Sequence, residues 1–89
     1  MKSLATKRFW AAYEALPEDE KRRAREAYRQ FSENPAHPSL KFKCVHPSKP
    51  IYSARISRGF RAVGILAGET ITWIWVGSHA DYDRLLSKP

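Results

Sequence analysis

Residues 51–79 read IYSARISRGFRAVGILAGETITWIWVGSH, and this stretch decides the fold. Tyr52, Ala54 and Ile56 alternate with Ser53 and Arg55, the period of two that marks a strand with one apolar face. Ser57-Arg58-Gly59 turns the chain into a second strand from Phe60 to Leu66, and Ala67-Gly68-Glu69-Thr70 makes a hairpin turn. Ile71 to Val76 is apolar at every position but Thr72, as expected of a central strand covered above and below, with Trp73 and Trp75 on one face. Gly77 breaks it.

Upstream, Leu40 and Phe42 alternate with Lys41 and Lys43, which predicts a further strand with one apolar and one cationic face. The loop His46-Pro47-Ser48-Lys49-Pro50 follows it, because two prolines do not fit a central strand. Residues 4–16 read as a helix with Phe9, Ala12, Tyr13 and Leu16 on one stripe. Pro17 ends it and opens the next helix, whose first turn holds Glu18-Asp19-Glu20, acids that complement the helix dipole. Ala24, Ala27, Tyr28 and Phe31 carry that helix to about Glu33, where Asn34-Pro35 stops it. The two helices should form an antiparallel hairpin.

Downstream, Ser78 and Asp81 have the spacing of a capping box, so a short helix is expected from His79 through Leu86. Tyr82 and Asp83 then fall near His79, three and four residues on. The expected order is α-α-β-β-β-β-α. It describes an α+β fold over residues 1–89 as one domain, with an N-terminal helix hairpin packed on a mostly antiparallel four-stranded sheet.

Eighty-nine residues suffice for one small core. Sixteen Lys and Arg against nine Asp and Glu give a net charge of +7. The surplus sits in residues 34–78, where Lys41, Lys43, Lys49, Arg55, Arg58 and Arg61 face only Glu69, so a polyanion-facing surface is expected there. The run Thr72 to Gly77 is far shorter than the ~20 residues of a membrane span. The opening Met1-Lys2-Ser3-Leu4-Ala5 leads into Lys7-Arg8 without the apolar stretch of a secretory leader, so a cytoplasmic protein with no membrane partner is expected. Cys44 is the only cysteine, which excludes an intrachain disulfide and cysteine-based zinc sites. His37 and His46 stand beside prolines in loops, and neither a metal nor a cofactor is expected.

Chemistry concentrates around His79. It is a histidine at a helix start, where free backbone N–H groups favour a phosphate, and imidazole is the side chain whose charge changes nearest neutrality. Antiparallel pairing of the two strands should bring Arg55 and Arg61 close together, an arrangement that an anion would relieve. Guanidinium groups suit a phosphate whose charge grows in a transition state. Lys41 and Lys43 form a cationic stripe for phosphate attraction, and Tyr82 could stack on a base, bond a reacting oxygen or pack beneath the helix. This set fits RNA cleavage by its own 2′-hydroxyl, which needs positive charge for the phosphorane and an acid for the 5′-oxygen.

Asn34-Pro35, His37-Pro38-Ser39-Leu40-Lys41, Tyr52-Ser53-Ala54-Arg55-Ile56, Phe60-Arg61-Ala62 and Trp75-Val76-Gly77-Ser78-His79-Ala80-Asp81-Tyr82 together resemble the RelE/ParE superfamily of bacterial toxins, over essentially the whole chain. The resemblance implies a RelE-like toxin neutralised by a cognate antitoxin. RelE-like members cut mRNA on the ribosome without a metal, whereas ParE-like members inhibit DNA gyrase and generally lack the histidine matched by His79. It also implies His79 as catalytic acid, Arg61 and Arg55 as phosphate stabilisers, Tyr82 as an orienting or stacking aromatic, and Lys41 and Lys43 as nucleic-acid contacts, to which the basic segment adds Lys49 and Arg58. The expected activity is thus a ribosome-dependent endoribonuclease that inhibits translation. The alternatives are a gyrase inhibitor or an inactive RNA- or partner-binding relative. The chain departs from the nuclease branches in lacking their base, for which His46 and Asp81 are candidates.

Overall fold

The strands legible in residues 51–78 form the heart of a five-stranded sheet. The computed structural model describes residues 1–87. Its elements run β1 (Lys2–Ala5), α1 (Lys7–Glu14), α2 (Glu18–Glu33), β2 (Lys43–Cys44), β3 (Ile51–Ser57), β4 (Phe60–Ala67), β5 (Thr70–Ser78) and α3 (His79–Ser87), with a 3₁₀ turn at Pro38–Leu40. The sheet order is β1-β5-β4-β3-β2. Every neighbour is antiparallel except β1, which runs parallel to β5.

The expected four strands are therefore five, because Leu4 is not helical. It pairs with Thr72, and the Lys2 amide donates to the Glu69 carbonyl at 2.8 Å. Thr6 separates the two structures: its Oγ1 accepts from the Phe9 amide at 3.1 Å, which caps α1 and leaves the preceding residues extended. The helix hairpin also needs correcting. α1 packs chiefly on β5 and α2 on β3, and the two are joined by polar contacts: Arg25 donates to the Tyr13 hydroxyl at 2.7 Å and Lys21 pairs with Glu14 at 3.5 Å. The sheet offers each apolar stripe more surface than the other helix does.

Phe31 is the anchor of the core. Its ring meets Phe42 at 5.0 Å and Trp73 at 5.3 Å, both edge to face, and Phe42 stacks on Tyr52 at 4.9 Å. Leu40, Ile71 and Val76 are buried with them, each contributing roughly 2 kcal/mol by leaving water. Leu40 reaches the core from the 3₁₀ turn and not from a strand, which overturns the expected stripe. Pro38 starts that turn, His37 Nδ1 accepts from the Ser39 amide at 3.2 Å, and Lys41 closes it with a left-handed φ of 44°. Only Lys43 and Cys44 remain to pair with β3.

A second correction concerns the tryptophans. Val63 pairs with Trp75 and Gly64 with Trp73, so Ile74 is the extra residue of a bulge. The bulge puts Trp73 in the core under the helices and Trp75 on the other face. β5 continues through Gly77, where an added Cβ would lie 2.5 Å from the Trp75 ring. Gly77→Ala should therefore lower stability by about 1–3 kcal/mol, the usual range for overpacking, read as a fall in the urea midpoint at unchanged slope.

Candidate active site

Strand β5 passes directly into α3, and that junction builds the site. Ser78 Oγ accepts from the Asp81 amide at 3.2 Å, the expected N-cap. The reciprocal half of the capping box is absent, because the Asp81 carboxylate pairs with Arg84. The His79 amide donates to the Gly59 carbonyl at 2.7 Å, which ties the start of α3 to the turn between β3 and β4. The His79 side chain is 48% exposed, and its Nδ1 lies 3.2 Å from Asp83 Oδ2. Tyr82 is buried, with its ring 5.7 Å from the imidazole and tilted by 57°. A ring buried in this way is not free to stack on an exposed base.

Arg55 stands directly opposite Arg61 across β3 and β4, and Arg61 in turn faces Gly77 on β5. Residues paired in this way share a sheet face. The two arginines and Gly77 thus occupy the face turned from α1 and α2, where the Trp75 ring fills the space beside Gly77. Arg61 is half-buried, and its Nη1 is enclosed without a hydrogen-bond partner. An orphaned buried donor and a like-charged neighbour both destabilise, and a bound oxyanion would relieve both. Arg55 lies where β3 has outrun β2, and it also lines a polar hollow of ≈ 360 Å³ with Arg23, Gln30 and Ser57.

The other basic residues divide. Lys43 pairs with Ser53 and shares the face of Arg55. Arg58 is exposed in the turn that receives the His79 amide. Lys41 is exposed but in left-handed backbone outside the strand, so it does not continue the stripe of Lys43. Lys49 lies in the loop before β3, at the far end of that strand from Arg55 and His79, about 20 Å away at ~3.3 Å per residue. His46 is in the same loop, its Nδ1 accepting from the Ser48 and Lys49 amides at 3.1 and 3.0 Å. Neither candidate base is thus free at the site: His46 holds a distant loop and Asp81 holds Arg84. Sequence reasoning missed why position 77 is a glycine: the Trp75 ring fills the space that a side chain there would need. Among the described residues, no group of three His, Cys, Asp or Glu side chains is placed to hold a metal ion. No helix among them is long and apolar enough to cross a membrane.

Residues 20–84 match the family described as the ParE-like toxin domain. The chain belongs to that family. The expected RelE/ParE membership therefore stands. Among solved structures it is similar to YafQ from E. coli strain BL21(DE3), with a TM-score of 0.73 and 12% identity over 91% of this chain and 96% of that one. A chain of the RelB–RelE antitoxin–toxin complex from Methanococcus jannaschii gives 0.73 and 18% over the same shares. The YoeB/ParE toxin from Agrobacterium tumefaciens gives 0.69 and 20% over 89% of this chain and 99% of that one. At such identities the likeness is one of fold. No curated protein matches the sequence.

Proposed function

We propose that this single-domain toxin is a ribosome-dependent mRNA endonuclease held inactive by an antitoxin. The observation that carries the reading is an exposed His79 whose backbone is fixed at the same sheet end as the Arg55–Arg61 pair. In the reaction, the 2′-oxygen of the substrate attacks the adjacent phosphorus and the P–O5′ bond breaks. The 2′-hydroxyl proton passes to solvent, and the His79 imidazolium gives its proton to O5′. The products are a 2′,3′-cyclic phosphate and a 5′-hydroxyl. Arg61, with Nη1 unpartnered, and Arg55 take up the growing charge on the phosphoryl oxygens. Tyr82 sets the orientation of His79. Lys43 and Arg58 hold the neighbouring backbone, while Lys41 and Lys49 serve more distant phosphates. The test maps transcript ends after induction of the wild type and His79→Ala in cells. Cuts that depend on His79 support the reading.

The family description favours one second reading, inhibition of DNA gyrase. Arrest by the His79→Ala chain, with loss of supercoiling in a gyrase assay and no new transcript ends, would establish it.

The antitoxin surface lies elsewhere. An apolar groove of ≈ 660 Å³ runs between β1, α1 and α2, lined by Leu4, Phe9, Trp10, Tyr13 and Tyr28. Trp10 and Tyr28 are half-exposed there, and β1 pairs only with β5, so its outer edge is open. Lys2, Lys7 and Arg8 belong to the elements that frame the groove. A segment of the antitoxin with apolar anchors and an acidic residue for Arg25 fits this combination of open strand edge, aromatic surface and one lining guanidinium. Trp10→Asp should weaken the complex with the product of the adjacent reading frame by about 100-fold, the scale of one aromatic hot spot, and leave transcript cleavage intact. Unchanged affinity by calorimetry would remove the groove from the interface.

A further inference from the structure

We infer that Asp83 is a positioning residue for His79, one that decides which ring nitrogen gives up its proton. The inference rests on the nuclease reading and goes beyond it. Asp83 Oδ2 lies 3.2 Å from His79 Nδ1, one helical turn along α3. Asp83 has no other ion-pair or hydrogen-bond partner among the described residues, since Arg84 on the same helix pairs with Asp81. Tyr82 closes one side of the imidazole and Asp83 meets one of its two nitrogens, so only Nε2 is left for a substrate.

The identity of the protonated nitrogen is set by the bond that the other nitrogen makes. A carboxylate can only accept, so Asp83 keeps the proton on Nδ1. When the imidazolium donates from Nε2 to the leaving oxygen, the neutral ring left behind is the Nδ1–H tautomer, the form that Asp83 stabilises. Without Asp83 either nitrogen can lose its proton, and a ring that keeps the one on Nε2 has made no transfer to substrate. The carboxylate thus acts on the direction of proton transfer and touches neither substrate nor phosphate.

An exposed pair four residues apart on a helix adds little to folding, so Asp83 can be replaced without unfolding the chain. Two readouts on the full chain test the role. Nitrogen-15 spectra of the imidazole in mildly alkaline solution, assigned against His79→Ala, should show His79 as the Nδ1–H tautomer in the wild type. In Asp83→Ala they should show predominantly Nε2–H. Cleavage of ribosome-bound mRNA by Asp83→Ala should lose about tenfold in kcat at unchanged KM, and Asp83→Glu should recover most of it. A wild-type His79 found as Nε2–H, or equal kcat for wild type and Asp83→Ala, overturns the inference. A wild-type chain that cuts no ribosome-bound mRNA overturns the nuclease reading instead, while the tautomer spectra still report on Asp83 alone.

Discussion

His79→Ala should abolish transcript cleavage and growth arrest while the chain stays folded and bound to its antitoxin. The expectation follows from where the ring sits. Its side chain is 48% exposed, so little buried apolar surface is lost on truncation, and the amide bond to Gly59 belongs to the backbone and survives. Surface replacements of this kind shift stability by no more than about 0.5 kcal/mol. Removing a general acid slows the chemical step by roughly 10²–10⁴-fold, and growth arrest should weaken with it. The measurement pairs mapped transcript ends with a thermal melt of the purified variant. A well-folded variant that still cuts at the same sites would mean that the proton for O5′ comes from elsewhere.

Local pattern and non-local pairing account for what the sequence revealed of the fold. The β3–β4–β5 meander was legible because each strand pairs with its neighbour in sequence and each turn announces itself, down to the positive φ of Gly68. Helix α2 was legible because Pro17 and Asn34 bracket an amphipathic run. β1 was not, because Lys2-Ser3-Leu4-Ala5 has no alternation and becomes a strand only by pairing with residues at the far end of the chain. The bulge at Ile74 was equally hidden. A continuous apolar run looks the same with or without an extra residue, so nothing separated the faces of Trp73 and Trp75.

The site divides along the same line. The placing of His79 at a helix start and of Arg55 opposite Arg61 followed from the Ser78 cap and from antiparallel register, both local signals. The stripe of Lys41 and Lys43 failed because a 3₁₀ turn won over strand alternation. Pro38 and the His37 side chain stabilise that turn, and burial of Leu40 fixes it. The groove at Trp10 and Tyr28 was also hidden. A helical stripe shows which residues are apolar but not that a neighbouring element stops short of covering them.

Arg61→Met should separate activity from stability by moving them in opposite directions. Methionine fills much of the arginine volume without charge, so the exchange removes an enclosed Nη1 that lacks a partner and the like charge opposite Arg55. An unsatisfied buried donor costs about 1–3 kcal/mol, so the variant should be at least as stable as the wild type and up to about 1 kcal/mol more so once lost packing is counted. Cleavage should fall by roughly 10²–10³, the usual loss for one donor to a developing oxyanion. Arg61→Lys should not restore it, because an ammonium cannot span two phosphoryl oxygens as a guanidinium does. Sulfate offers a direct probe of anion binding at Arg61. It should raise the melting temperature of the wild type above that in chloride at equal ionic strength, and the difference should shrink in Arg61→Met to the general salting-out effect of sulfate. An Arg61→Met chain that melts well below the wild type and still cleaves would make Arg61 a structural residue, with its enclosed nitrogen serving the sheet and not the substrate.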